Sequence, residues 1–192
     1  MRQWCDEQGM LLIFDEVQTG LGRLGTLFGY QSFDVEPDVM TLAKGLGGGV
    51  PIGAFLAKES ASVLEPKGEH GSTFGGNALT CAAAYASTKY VIDNDVSRNA
   101  RVMGQRLMEG LSVLSDEYKS VTSVRGMGLL CAVEFDEDVS AKVISSCNES
   151  GLLLNMVKPN AIRLMPPLTI SDSEVEEGLQ RLKHGISDAL RS

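Results

Sequence analysis

Two charged residues, each at the end of a short apolar run, are the first candidates for chemistry in this sequence. Asp15 follows the run MLLIF at 10–14, and Lys44 follows the run VMTLA at 39–43. Short apolar runs bounded by turn residues predict buried strands. Because ligands of open α/β sheets bind where the strands end, we expect the carboxylate of Asp15 and the amine of Lys44 to project into the same crevice.

The segment that follows Lys44 is rich in glycine, with the sequence GLGGGVPIGA at 45–54. Glycine allows the backbone to approach a bound group closely, which explains this run better than solubility or packing does. We expect Lys44 to be partly buried, because partial burial favours the neutral, nucleophilic form of an amine. The pattern therefore predicts Schiff-base formation at Lys44, and a surface lysine ahead of a turn is the alternative.

Asp15 is the candidate partner for a cofactor bound at Lys44. A pyridoxal cofactor needs an anion beside its pyridinium nitrogen, because the protonated ring is the form that accepts electrons. A carboxylate that caps a turn is the alternative use of an aspartate at the end of a strand.

Four other polar residues carry weaker signals. Thr73 precedes two glycines and is a candidate phosphate ligand or a turn residue. Arg163 lies in an otherwise apolar strand, where a substrate carboxylate or an intramolecular salt bridge could equally pair with it. Glu16 is interpreted as structural, and His70 as a loop residue.

The composition indicates a globular protein and excludes several classes. The 192 residues are 43% hydrophobic and 22% charged, with a net charge of −8 and a pI of about 4.8. The acidic balance argues against nucleic acid as a partner, and no apolar run reaches the ~20 residues of a membrane span. The four cysteines, at 5, 81, 131 and 147, are too scattered for a disulfide framework or a zinc site. Free thiols in a reducing, cytoplasmic compartment are therefore expected.

The periodicity and the turn residues predict an α/β chain with a domain boundary near residue 95, so that 1–95 and 96–192 form separate domains. The sequence SDSE at 171–174 predicts a capping box for the last helix. In the first domain we expect a helix that ends at Gly9, strands at 10–14, 39–43 and 52–57, and helices at 58–64 and 78–92, the latter capped by Asn77. In the second we expect helices at 96–118, 139–149 and 174–190 and strands at 127–135, 152–156 and 161–165.

Four segments together resemble class III (ornithine-type) pyridoxal-phosphate aminotransferases, and they occur in the order of that family. The runs GGG after Lys44 and STFGGN look most like the acetylornithine and succinylornithine aminotransferase branch. The resemblance implies part of the large domain of a fold type I transferase, with a mixed, mostly parallel sheet, followed by a small C-terminal α/β domain. The segments are LLIFDEVQTGLGR at 11–23, AKGLGGGVPIGA at 43–54, HGSTFGGN at 70–77 and IRLMPPL at 162–168.

The same resemblance implies roles for five residues. Lys44 would carry pyridoxal phosphate as a Schiff base and move a proton between the substrate Cα and the cofactor C4′. Asp15 would pair with the pyridinium nitrogen, and Gln18 would hydrogen-bond near the phenolic oxygen. Thr73 would reach the phosphate of the neighbouring subunit's cofactor, because the active sites of the family lie at a homodimer interface. Arg163 would clamp the α-carboxylate of the substrate.

The implied reaction transfers the amino group of N-acetylornithine, or of a related N-acyl ornithine, to 2-oxoglutarate in arginine biosynthesis. An aminotransferase for ornithine or another ω-amino acid is the alternative within the family. Family members carry a long segment before the Asp motif, whereas only fourteen residues precede Asp15 here. We therefore expect the C-terminal half of an aminotransferase with an open sheet edge and exposed apolar surface. A non-catalytic fragment that needs a separate N-terminal polypeptide is a third reading.

Overall fold

The computed structural model describes residues 1–62, 68 and 71–191. His70, most of the polar loop around it and the end of the helix predicted at 58–64 lie outside the described residues. The described chain forms two compact units, Met1–Ser97 and Arg98–Ser192, each with its own sheet and its own apolar core. The boundary predicted from the sequence lies between residues 95 and 96, two residues before this division.

The first unit contains a three-stranded sheet in the order β1-β2-β3. Its strands are β1 (Ile13–Asp15), β2 (Val39–Leu42) and β3 (Ala54–Ala57). β1 and β2 are parallel, whereas β2 and β3 are antiparallel, so the described sheet is mixed. The connection at 43–53 is shorter than the dozen or more residues that a parallel crossover typically needs, and β3 therefore returns in the opposite direction.

Two helices of this unit begin or end where the sequence predicted. α1 (Arg2–Gln8) ends at Gly9, whose φ of 63° lies in the left-handed region that a glycine C-cap adopts. α2 (Ala78–Asp93) begins after Asn77, whose side-chain oxygen accepts a hydrogen bond of 3.1 Å from the Thr80 N–H. α2 also contributes to the core of the unit, which consists of Leu21, Met40, Leu42, Leu46 and Ala84.

The first unit also exposes large apolar side chains. Phe55 of β3 is 62% exposed, and Leu79 and Tyr85 of α2 are 75% and 71% exposed. The exposed apolar surface expected from the resemblance is therefore present. Where exposed apolar side chains adjoin in a large patch, they typically mark contact with another protein surface.

The second unit combines three helices with a four-stranded antiparallel sheet in the order β4-β5-β7-β6. Its core follows from two periodicities, because buried residues recur every three or four positions on α3 and every second position on β5. The elements are α3 (Val96–Glu117), β4 (Val121–Met127), β5 (Leu130–Phe135), α4 (Ser140–Glu149), β6 (Asn155–Lys158), β7 (Ala161–Leu164) and α5 (Asp172–Arg191).

The strand predicted at 127–135 is wrong in its extent. Residues 121–127 form a complete strand, β4, and the chain then reverses at Gly128, which has a φ of 55°. Glycine accepts this left-handed conformation without a steric cost, so β4 and β5 form a hairpin.

The strand predicted at 152–156 is also displaced. β6 begins only at Asn155, and Leu152 and Leu154 pack on the core of the unit ahead of it, whereas Leu153 is exposed.

No helix among the described residues is long and apolar enough to cross a membrane. Nor is any group of three or more His, Cys, Asp or Glu side chains in this part of the chain arranged to hold a metal ion. The four cysteines are free thiols, of which Cys81 is exposed and the other three are buried. Burial raises the pKa of the Cys147 thiol to about 11, which makes it a poor nucleophile.

Candidate active site

Asp15 is the last residue of β1, and its side chain is exposed. Its Oδ1 accepts a hydrogen bond of 3.0 Å from the Val17 N–H and one of 3.2 Å from the Thr41 hydroxyl. Thr41 lies directly opposite Asp15 on β2, so the register of the two strands orients the carboxylate. Because both hydrogen bonds from the described residues go to Oδ1, Oδ2 is the oxygen left for a bound donor.

Glu16 is the next residue and is buried, with 4% of its surface exposed. Its Oε2 accepts hydrogen bonds from the Thr19 hydroxyl at 2.8 Å and the Gly29 N–H at 2.7 Å. Its Oε1 accepts one from the Tyr30 N–H at 2.7 Å. These three hydrogen bonds offset the loss of hydration of the buried carboxylate. Because the donors come from residues 19, 29 and 30, Glu16 holds the segment 19–30 next to the end of β1.

Lys44 follows β2 and begins a 3-10 turn, Lys44–Gly47. Because β1 and β2 are parallel neighbours, their carboxyl ends lie at one edge of the sheet, and Asp15 and Lys44 lie at that edge with them. The φ of Lys44 is 47°, in the left-handed region. This conformation costs a residue with a Cβ about 1–2 kcal/mol, so it indicates a backbone held by its surroundings.

The expectation that Lys44 is partly buried is wrong, because its side chain is exposed. Two of the glycines that follow it also lie in open surroundings, because a Cβ added at Gly45 or at Gly49 would meet no atom within 4 Å.

Helix α2 contacts the turn that carries Lys44. The hydroxyl of Ser87 donates a hydrogen bond of 3.0 Å to the carbonyl oxygen of Gly45. Ala84, one turn earlier on the helix, is buried in the same cluster as Leu46. Neither Ser87 nor Thr41 is among the site residues predicted from the sequence, because both reach the site from other elements.

Gln18 and Thr73 are both exposed. Gln18 lies in the turn that follows β1 and therefore at the same edge of the sheet as Asp15. Thr73 precedes α2, whereas Ser87 lies in the second half of this helix. At about 1.5 Å per residue, the start of α2 is on the order of 14 Å along the helix axis from Ser87, and Thr73 lies five residues before that start.

Arg163 belongs to the second unit, where it is half-buried on β7. It lines an open pocket of about 490 Å³ whose other walls are largely apolar, among them Leu107, Leu154 and Pro166. A guanidinium group in an apolar wall suits a small ligand with a carboxylate, because its fork of N–H donors matches the two carboxylate oxygens.

Comparison with known proteins places these features in a family. The sequence profile of the aminotransferase class-III family matches residues 1–186. The chain belongs to this family. Class III aminotransferases are pyridoxal-phosphate enzymes, as the resemblance implied.

Two relatives are named acetylornithine aminotransferase. The one from Caldanaerobacter subterraneus subsp. tengcongensis is 45% identical over 188 residues, which are 98% of this chain and 48% of the relative. The one from Clostridium acetobutylicum is 48% identical over 180 residues, which are 93% of this chain and 46% of the relative. The chain therefore spans about half the length of the curated relatives it matches.

Solved structures give the same result for the fold. An ornithine aminotransferase from Plasmodium yoelii superposes with a TM-score of 0.92 at 35% identity, over 98% of this chain and 50% of that one. An acetylornithine aminotransferase from Elizabethkingia anophelis superposes with a TM-score of 0.90 at 36% identity, over 97% of this chain and 50% of that one. These matches confirm the predicted fold class, that of the fold type I pyridoxal-phosphate aminotransferases.

The residues at the sheet edge fit such a cofactor. Lys44 supplies an exposed side chain that ends in an amine. Asp15 supplies a carboxylate that is already oriented through one oxygen. An amine that can form a covalent bond and an anion that can hold a ring nitrogen protonated are the two groups that pyridoxal chemistry requires from the protein.

Proposed function

We propose that this chain forms half of a pyridoxal-phosphate aminotransferase that transfers the amino group of N-acetylornithine, or of a related N-acyl ornithine, to 2-oxoglutarate. The observation that carries the proposal is the common sheet edge at which Asp15 and Lys44 follow parallel neighbouring strands. The names of the relatives support the substrate, and that substrate fits a reaction of arginine biosynthesis. Residues 1–95 would belong to the large domain, and residues 96–192 would form the small one.

Asp15 would hold a proton at the ring nitrogen of the cofactor. Pyridoxal phosphate, when bound, supplies a ring that accepts electrons from the substrate, and it does so best when this nitrogen is protonated. The hydrogen bonds from Val17 and Thr41 fix Oδ1, so Oδ2 can meet the N–H without reorganisation. Gln18, from the turn after β1, would donate a hydrogen bond near the phenolic oxygen.

Lys44 would bind the cofactor through Nζ and later carry a proton between the substrate Cα and the cofactor C4′. Both tasks need an amine that can move while its point of attachment stays in place. The exposed side chain supplies the first property, and the constrained left-handed backbone supplies the second.

Thr73 would bind the phosphate group of the cofactor in a second subunit of a homodimer. The assignment is supported by membership of the class-III family, and Thr73 is exposed, as such a role requires. The exposed side chains of Leu79 and Tyr85 provide apolar surface for such a contact.

Arg163 would clamp the α-carboxylate of the amino acid in the pocket of the second unit. A bidentate pair with a carboxylate is both strong and directional, so it would set the orientation of the substrate. The ornithine aminotransferases among the similar solved structures keep ornithine as the alternative substrate. The two substrates differ only in whether the α-amino group is acylated.

The proposal is tested by incubating the 192-residue chain with pyridoxal phosphate, reducing it with borohydride and mapping the labelled peptides. The reduced adduct should lie on Lys44, and a visible absorption band should precede the reduction. K44R should lose both signals. K89R, which removes an exposed lysine of α2 instead, should keep them.

Label spread over surface lysines such as Lys58 and Lys89, with no stable band, would contradict cofactor binding by this chain. If the band then forms on addition of a polypeptide that corresponds to the other half of the relatives, the chain is a fragment that needs this partner. This second experiment is needed because the chain matches only 46–48% of the length of the two relatives. Transamination assays with N-acetylornithine and ornithine would then separate the two substrates.

A further inference from the structure

Ser87 of α2 and the turn Lys44–Gly47 meet at one carbonyl group. The Gly45 oxygen accepts a hydrogen bond of 3.2 Å from the Gly48 N–H, which closes the turn. The same oxygen accepts a second hydrogen bond of 3.0 Å from the Ser87 hydroxyl. The side chain of a helix thus reinforces the turn at the atom on which its closure depends.

The packing around this contact is tight. Gly48 has a φ of 59°, and a Cβ added there would lie 3.3 Å from both Cβ and Oγ of Ser87. Ala84, three positions earlier on the same face of α2, is buried with Leu46 of the turn. A side chain at position 48 would therefore press on Ser87, so glycine at this position lets the turn and α2 approach closely.

The turn needs external support because of its first residue. Lys44 has a left-handed backbone, with a φ of 47°, which a residue with a Cβ adopts only when the surroundings impose it. A 3-10 turn has poor hydrogen-bond geometry by itself, so its own bonds are a weak restraint. The bond from Ser87 is a restraint that comes from a separate, regular element.

We propose that Ser87 is a positioning residue: its hydroxyl holds the Gly45 carbonyl and thereby keeps the backbone of Lys44 in the left-handed conformation. The effect of Ser87 on the backbone does not depend on the proposed function. The further statement that Ser87 thereby directs a reactive amine does rest on that function. Ser87 would act only through the turn and would not touch the cofactor or the substrate.

The test compares S87A, S87T and T88A with the wild-type chain by NMR spectroscopy and amide hydrogen exchange. In S87A the amide protons of Leu46 and Gly48 should exchange about three- to tenfold faster, as the loss of one net hydrogen bond implies. The Cα chemical shift of Lys44 should move away from its left-handed value. S87T, which keeps the hydroxyl, should restore both signals, and T88A, which removes the adjacent hydroxyl of the same helix, should leave them unchanged.

A loss of overall stability alone would not produce this pattern, since it would not be confined to the turn or reversed by threonine. Unchanged exchange and an unchanged Lys44 shift in S87A, or an S87T chain that behaves like S87A, would overturn the inference. If S87A does not fold, S87C, whose thiol is somewhat larger and a weaker donor than the hydroxyl, should show the same changes.

Labelling with pyridoxal phosphate and borohydride separates this inference from the proposed function. Selective labelling of Lys44 in the wild type, reduced in S87A and restored in S87T, would support both. Without selective labelling of the wild type, the proposed function fails, but the NMR comparison still decides whether Ser87 holds the turn.

Discussion

The buried carboxylate of Glu16 allows a quantitative test of how the candidate site is held together. One of its oxygens accepts hydrogen bonds from the Thr19 hydroxyl and the Gly29 N–H, and the other accepts one from the Tyr30 N–H. Glutamine has the same shape, and its carbonyl oxygen can keep the first two bonds. Its NH₂ group must then face the Tyr30 N–H, which loses its acceptor. Alanine removes all three acceptors.

These losses predict an order of effects on the free energy of unfolding. A buried donor left without an acceptor costs about 1–3 kcal/mol, so E16Q should destabilise the chain by about that amount. E16A leaves all three donors without an acceptor. It should lower the free energy of unfolding by about 3–5 kcal/mol, the range for breaking a buried charged network. The control is E36Q, because Glu36 is exposed and only pairs with Lys58 at 3.4 Å, a contact worth about 0–1 kcal/mol.

Urea unfolding measures the order, and amide exchange locates the cause. In E16Q the Tyr30 amide should lose protection while the Gly29 amide keeps it, because only one of the two donors is stranded. An E16Q chain with wild-type stability and a protected Tyr30 amide would refute the reasoning, as would an E16A chain no less stable than E36Q.

Two further predictions concern the packing of the second unit and the acid stability of the first. Gly104 and Gly178 both lie within helices, but a Cβ at Gly104 would overlap the backbone of Gly128, whereas one at Gly178 would meet no atom within 4 Å. G104A should therefore lower the thermal midpoint strongly. G178A should raise the free energy of unfolding by about 0.5–1 kcal/mol, because alanine favours a helix more than glycine does. Equal thermal midpoints for the two variants would contradict this packing. The pKa of Asp38 lies below its usual 3.8, chiefly because the carboxylate accepts a hydrogen bond from the Leu12 N–H. Asp38 therefore contributes fully to stability above about pH 4, and this contribution is lost as the pH falls through the lowered pKa. The difference in urea midpoint between wild type and D38N should be largest above about pH 4 and shrink towards about pH 2, and a constant difference would show that Asp38 is not involved.

The sequence was sufficient for features whose causes are local. Gly9 ends α1, Asn77 begins α2, and Ser171 begins α5 through a hydrogen bond of 2.8 Å from its N–H to the Glu174 carboxylate. Each of these signals involves residues at most four positions apart. The strand ends at Asp15 and Lys44 were predictable for a similar reason, because an apolar run and the residue that follows it are neighbours in the chain.

The errors concern features that depend on distant residues. Residues 121–127 become a strand because they pair with β5, and apolar content alone did not indicate that partner. The exposure of Lys44 depends on which elements pack around its turn, and this is known only once every neighbouring element is in place.

The sequence by itself determined the family of this chain and the identity of the residues that could carry its chemistry, since side-chain type and local spacing are enough to indicate an amine and a carboxylate at strand ends. The tertiary structure decided how these groups are held. Thr41 reaches Asp15 only through the register of two parallel strands, and Ser87 reaches Gly45 only because α2 packs on the turn. Such contacts join positions that are far apart in the chain, so their existence follows from the packing of whole elements and not from any local pattern.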